Sequence, residues 1–205
     1  MNRAATVCFV WSVLAISFSA SAGTSPTGPE VRINVYNDAQ LPDHLLTEAL
    51  QEASRIFQKI RVETIWAECT SSPTSSKRAS ECQPSWGPAH LSLRIVPWSS
   101  KLGDAIFGIS FLSPEGEGTY CDVFYDSVKK LHQDWHVNIA RILGHTMAHE
   151  IGHLLLGTNA HSHIGIMRPN WRGQELREIG MGTLLFTPEE ARSMQNKLIS
   201  LTARN

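Results

Sequence analysis

The chain has 205 residues, 42% of them hydrophobic, with 18 Lys+Arg against 19 Asp+Glu and a formal charge of −1 at pH 7. So even a balance supplies no basic surface for nucleic acid or for an anionic membrane, and excludes both as expected partners. The length suits one domain with a single core of ordinary size.

Arg3 precedes the apolar run "VCFVWSVLAISFSA", which ends in the small-residue tripeptide Ala20-Ser21-Ala22. This is the pattern of a secretory signal over residues 1–22, too short for a comfortable membrane span. The expected mature chain is one domain, residues 23–205, exported to the periplasm or the extracellular space, with no stable membrane insertion. Without Arg3 its charge is −2, from 17 Lys+Arg against 19 Asp+Glu.

After the leader "GTSPTGPE", the segment "VRINVY" has strand character. Apolar residues at Leu45, Leu46, Ala49, Leu50, Ala53, Ile56, Phe57 and Ile60 then trace one helical face between Leu41 and Ile60. "VETIWAE" alternates as a second strand, the Ser/Thr/Pro-rich segment 70–89 reads as a loop, and "HLSLRIVPW" alternates as a third strand. Cys69 and Cys82 bracket that loop and are the candidate disulfide of an exported chain, which leaves Cys121 as a buried free thiol. Two further strands, "AIFGISFL" and "TYCDVFYD", flank the turn "SPEGEG". The order of strand, helix and then several strands predicts a mixed sheet with helices packed against it.

From Val137 to Leu156 apolar residues recur at helical spacing, and Gly157 stands where a left-handed terminal residue is wanted. Thr187-Pro188-Glu189-Glu190 opens a last helix with a capping box. The stretch "HEIGHLLLGTNAHSHIGIM", residues 149–167, holds four of the nine histidines. On a helix, His149 and His153 differ by about 40° of rotation and about 6 Å of rise, so their imidazoles point the same way and can share one zinc ion. Catalytic zinc takes three protein ligands and keeps a position for water. A turn at Gly157 can deliver the third from His161 or from His163, and His161 needs the shorter loop. Glu150 is then placed to accept a proton from the zinc-bound water. His145, one turn earlier, is expected as a packed histidine, because a fourth protein ligand would close the water position.

Residues 149–167 resemble the signature of the metzincin zinc metalloproteases, HExxHxxGxxH followed by a methionine-containing turn. Here one extra residue separates His153 from Gly157 and another separates Gly157 from His161, giving HExxHxxxGxxxH. The resemblance implies that His149 and His153 bind Zn2+, that Glu150 is the general base and that Met167 forms the Met-turn. It also implies an α+β fold: a mixed five-stranded sheet with an antiparallel edge strand, packed on two long helices. In that fold an N-terminal lobe (about 31–157) precedes a small C-terminal lobe (about 158–205) that ends in a helix. By chain order residues 105–112 would be the edge strand that holds an extended peptide substrate. The implied activity is that of a secreted zinc endopeptidase. Alternatives are a non-catalytic peptide- or metal-binding relative, hydrolysis of a non-peptide bond, and a gluzincin arrangement with Glu175 or Glu178 as a metal ligand.

Overall fold

The computed structural model describes residues 28–69, 82, 89–98 and 106–203. The expected signal segment and most of the 70–89 loop lie outside the described residues. Five strands, β1 (Glu30–Asn37), β2 (Glu63–Cys69), β3 (His90–Val96), β4 (Gly108–Phe111) and β5 (Tyr120–Phe124), form one sheet in the order β2-β1-β3-β5-β4. All neighbours are parallel except β4, which runs antiparallel to β5 with Ser110 opposite Cys121. The fold is therefore the expected α+β arrangement, a mixed five-stranded sheet with an antiparallel strand at its edge.

Strand alternation decides which residues enter the core. Val31, Ile33 and Val35 of β1 and Leu91, Leu93 and Ile95 of β3 project from one face and are buried. Helix α1 (Asp43–Lys59) lays Leu45, Leu46, Ala49, Leu50, Ala53, Ile56 and Phe57 into the same core. Asp43 in its first turn and Lys59 in its last complement the helix dipole. Cys69 and Cys82 are joined in a disulfide, and Cys121 is a buried free thiol on β5.

Helix α3 (Ile139–Leu156) has a different character, being buried around nearly its whole circumference. The Asn138 side chain caps its start by accepting from the Arg141 N–H at 3.0 Å. Gly157 ends it with φ of +70°, a left-handed conformation that costs a side-chain-bearing residue energy. Lys197 of α5 (Pro188–Thr202) donates to the Leu154 carbonyl at 3.1 Å, satisfying one acceptor of the final turn.

Two helices differ from the sequence expectation. β5 stops at Phe124, and helix α2 (Tyr125–Trp135) takes over the last residues of "TYCDVFYD". Only Val128 and Leu131 of α2 are buried, too few apolar positions to make a visible period. Helix α4 (Gly173–Met181) likewise buries little more than Leu176 and Ile179, and its glycines read as breakers. Among the described residues no helix is long and apolar enough to cross a membrane.

The α1–α3 contact encloses a small polar group. Glu52 accepts two bonds from Arg55, at 2.9 and 2.7 Å, and lies 3.5 Å from Nδ1 of the fully buried His145. That nitrogen donates to the Arg141 carbonyl at 2.8 Å. Burial holds the imidazole neutral, lowering its pKa to about 4 against the attraction of Glu52. Unfolded chain takes up this proton near pH 6.5, so His145 costs no stability above that pH and an increasing amount as pH falls from there towards 4. Wild-type protein should lose about 2–3 kcal/mol relative to His145→Gln between pH 7.5 and pH 4.5, read from urea unfolding. A difference between the two proteins that stays constant across this range would show that His145 is not held neutral.

Candidate metal centre and cleft

His149 and His153 stand one turn apart on α3, facing the same way, with Nε2 atoms 3.1 Å apart. Nδ1 of His149 donates to the Ile166 carbonyl and Nδ1 of His153 to the Thr158 carbonyl, each at 2.7 Å. A neutral imidazole carries one N–H, and in both rings the backbone carbonyl claims it. Both Nε2 atoms therefore turn bare lone pairs toward each other. Burial also lowers the proton affinity of both rings, that of His149 to about 3 with the neighbouring His153 adding to the effect. Two lone pairs in near contact repel unless a cation lies between them. His161 completes the group, its ring centroid 5.4 Å from that of His149 and 4.9 Å from that of His153. The three donor nitrogens lie within 4.8 Å of one another. Three imidazoles with one open side match the donor set of a catalytic zinc site.

The segment after Gly157 brings His161 in. Ser162 N–H donates to the Met167 carbonyl at 2.9 Å, and its hydroxyl bonds to Glu190. Glu190 is itself fixed by the capping box of α5, where it accepts from the Thr187 N–H at 2.7 Å. Ile166 N–H donates to the Leu185 carbonyl at 3.0 Å. Met167 is fully buried beneath α3, and a Cβ on Gly152 would come within 2.7 Å of its sulfur. His163 is exposed and stands outside the histidine group. Glu175 is turned elsewhere, bonding to Arg168 and accepting from the Arg172 N–H at 3.0 Å, and Glu178 accepts from Gln174. Among the described residues, His149, His153 and His161 are the group able to hold a metal ion.

Glu150 is buried beside the histidines, where loss of water raises its carboxyl pKa to about 7, opposed by a hydrogen bond from Ser110. The histidines and Glu150 line a cleft of about 420 Å³, walled by Phe107 and by Trp171. These two rings stack at 6.0 Å, and Trp171 Nε1–H donates at 3.2 Å to the Ile166 carbonyl that also receives His149. Ser110, Gly108 and Trp171 are absent from the sequence reading. Ser110 carried one signal, a polar residue at an inward position of a strand; Trp171 carried none, since its partner is a main-chain oxygen.

No protein-family model matches the chain, and no curated protein matches it in sequence. Its structure is similar to that of a zinc-dependent peptidase from Methanocorpusculum labreanum, with a TM-score of 0.52 and 14% identity over 79% of this chain and 99% of that one. It is also similar to metalloproteinase-II from Bacteroides fragilis, with a TM-score of 0.50 and 12% identity over 83% of this chain and 53% of that one. The metzincin resemblance carried by residues 149–167 and the architecture thus agree: the chain has the α+β fold found in zinc-dependent peptidases.

Proposed function

We propose that this protein is an exported zinc-dependent endopeptidase in which His149, His153 and His161 hold the metal and Glu150 is the general base. The observation that carries the reading is the pair of Nε2 lone pairs 3.1 Å apart, each fixed by a carbonyl bond on the far side of its ring. Outer bonds of this kind are how proteins set the tautomer and orientation of metal-binding histidines. Three imidazoles favour zinc over the hard cations, which seek oxygen. Export is supported by the pattern of residues 1–22 and by the Cys69–Cys82 bond, a cross-link characteristic of oxidising compartments.

Bound there, zinc would supply a water of lowered pKa and polarise the scissile carbonyl. The remaining chemistry belongs to the chain. Glu150, with proton affinity raised to about 7 by burial, takes a proton at neutral pH and returns it to the departing amine. β4 lies at the end of the sheet, and its outer backbone edge can pair with an extended peptide. Phe107 and Trp171 give the cleft apolar walls beside the reacting groups.

Purified mature protein should hold about one equivalent of zinc. His149→Ala, His153→Ala and His161→Ala should each lose it, whereas His163→Ala should retain it. Metal analysis showing full occupancy in the first three variants would overturn the site. Glu150→Gln should keep zinc and peptide affinity while kcat falls by about 10²- to 10⁴-fold in a peptide-library digest. Wild-type protein that binds peptides yet cleaves none, with Glu150→Gln behaving identically, would make this a binding protein.

A further inference from the structure

We infer that Ser110 is a positioning residue for hydrolysis, locking the Glu150 carboxylate to the edge strand that would carry the substrate; this rests on Glu150 being the base. Ser110 is buried on β4, forty residues from Glu150 in sequence. Its Oγ lies 2.7 Å from Oε2 of Glu150 and 2.8 Å from the main-chain oxygen of the same residue. A hydroxyl has one proton, and the charged carboxylate is the stronger acceptor, so the short bond to Oε2 takes it. That bond holds the Glu150 side chain against β4 and restricts its torsional freedom, while the Glu150 main-chain oxygen, 2.8 Å from the same Oγ, receives no proton from it.

Gly108, two residues earlier on the same face of β4, closes the other side. A Cβ there would stand 2.6 Å from both Cγ and Oε1 of Glu150 and 2.7 Å from the Asp122 carbonyl, so only a residue without one lets the strand come this near. Oε1 is thus bounded by the strand backbone at Gly108 and Oε2 by the hydroxyl of Ser110. Glutamate is otherwise a flexible side chain with several rotamers of similar energy. A base must be held within a fraction of an ångström of the proton it takes, and loosely held groups are the usual failing of catalytic sites. Because the contacts come from β4, a peptide paired along that strand and the carboxylate beside it share one support. Their separation is then set by the pleat of a four-residue strand rather than by a long path through α3 and the sheet.

The role separates from a merely structural one by which constant changes. Zinc-loaded wild type, Ser110→Ala and Glu150→Gln are compared on a quenched fluorogenic peptide chosen from sequences that wild type cleaves. Ser110→Ala should lower kcat by about 10- to 100-fold, the size usual for supporting partners of a metal site, with KM and zinc content within about twofold of wild type. In a double-mutant cycle, the loss of thermal midpoint caused by Ser110→Ala should largely vanish in a Glu150→Ala background, because the partner is already gone. Unchanged kcat, a loss confined to KM or zinc content, or additive midpoints would each overturn the assignment of Ser110. Glu150→Gln inactive with Ser110→Ala fully active would sink the Ser110 role alone. Glu150→Gln as active as wild type would remove the base reading and the Ser110 role with it.

Discussion

Two imidazole lone pairs held 3.1 Å apart in a buried site are the constraint around which this chain is organised. They persist because each ring is pinned from behind, His149 by the Ile166 carbonyl and His153 by the Thr158 carbonyl. Both carbonyls belong to the segment that follows Gly157, so its path is dictated by where two ring N–H groups must find acceptors. That segment is anchored in turn by Leu185 and by the capping box of α5. The small elements after α3 therefore fix the tautomers of residues on α3. Helix α3 is buried on nearly all sides, and that dry environment keeps these rings neutral well below the pH at which a solvated imidazole takes up a proton.

The same dryness acts on Glu150 with the opposite sign of charge. Burial penalises whichever form is ionised, so it lowers the proton affinity of His149 to about 3 and raises that of Glu150 to about 7. Neutral imidazole is the form that binds a metal, and a carboxylate of raised affinity is the form suited to take a proton near neutral pH. On the proposed reading, one physical cause prepares neighbouring residues on one helix for two different tasks. Its cost is local instability, since four titratable side chains, His145, His149, Glu150 and His153, are buried within three turns. A bound cation would offset part of that cost and tie α3 to the segment after Gly157.

What could be read from the sequence was whatever depends on spacing along one element. The i, i+4 pair of His149 and His153 needs only helical geometry, and the strong apolar period of α1 fixed that helix to within about two residues at each end. The antiparallel edge came from the family resemblance rather than from any pattern in residues 105–112. α2 and α4 escaped because each buries only a few residues, and so little apolar contact leaves no period to detect. His161 and His163 lie in one loop, two residues apart, and only the shorter loop that His161 needs favoured it in the sequence. The separation comes from Ser162, whose bonds to Met167 and Glu190 hold the chain so that His161 reaches the ring nitrogens of His149 and His153 and His163 does not. Ser110 showed only as a polar residue at an inward strand position, because its partner Glu150 lies on another element, and Trp171 left no signal because its bond goes to the Ile166 main-chain oxygen.

The two edges of the sheet show how far the centre governs the periphery. β2, at one end, begins with Glu63 and finishes with Glu68 and the disulfide-bonded Cys69, charges and a cross-link that discourage another chain from pairing there. β4, at the other end, has four residues, and its neighbourhood exposes Ile106 at 38% and Phe111 at 48%. An apolar edge left open in this way is a site where further strands add, and proteins normally protect it. Here the residues that would ordinarily be charged or bulged on the inner face are committed instead to Glu150, with Gly108 against one oxygen and Ser110 bonded to the other. The strand cannot twist away or carry a blocking side chain inward without disturbing that carboxylate. On the proposed reading the open edge is the groove for an extended peptide, and the shortness of β4 limits the aggregation hazard that the groove entails.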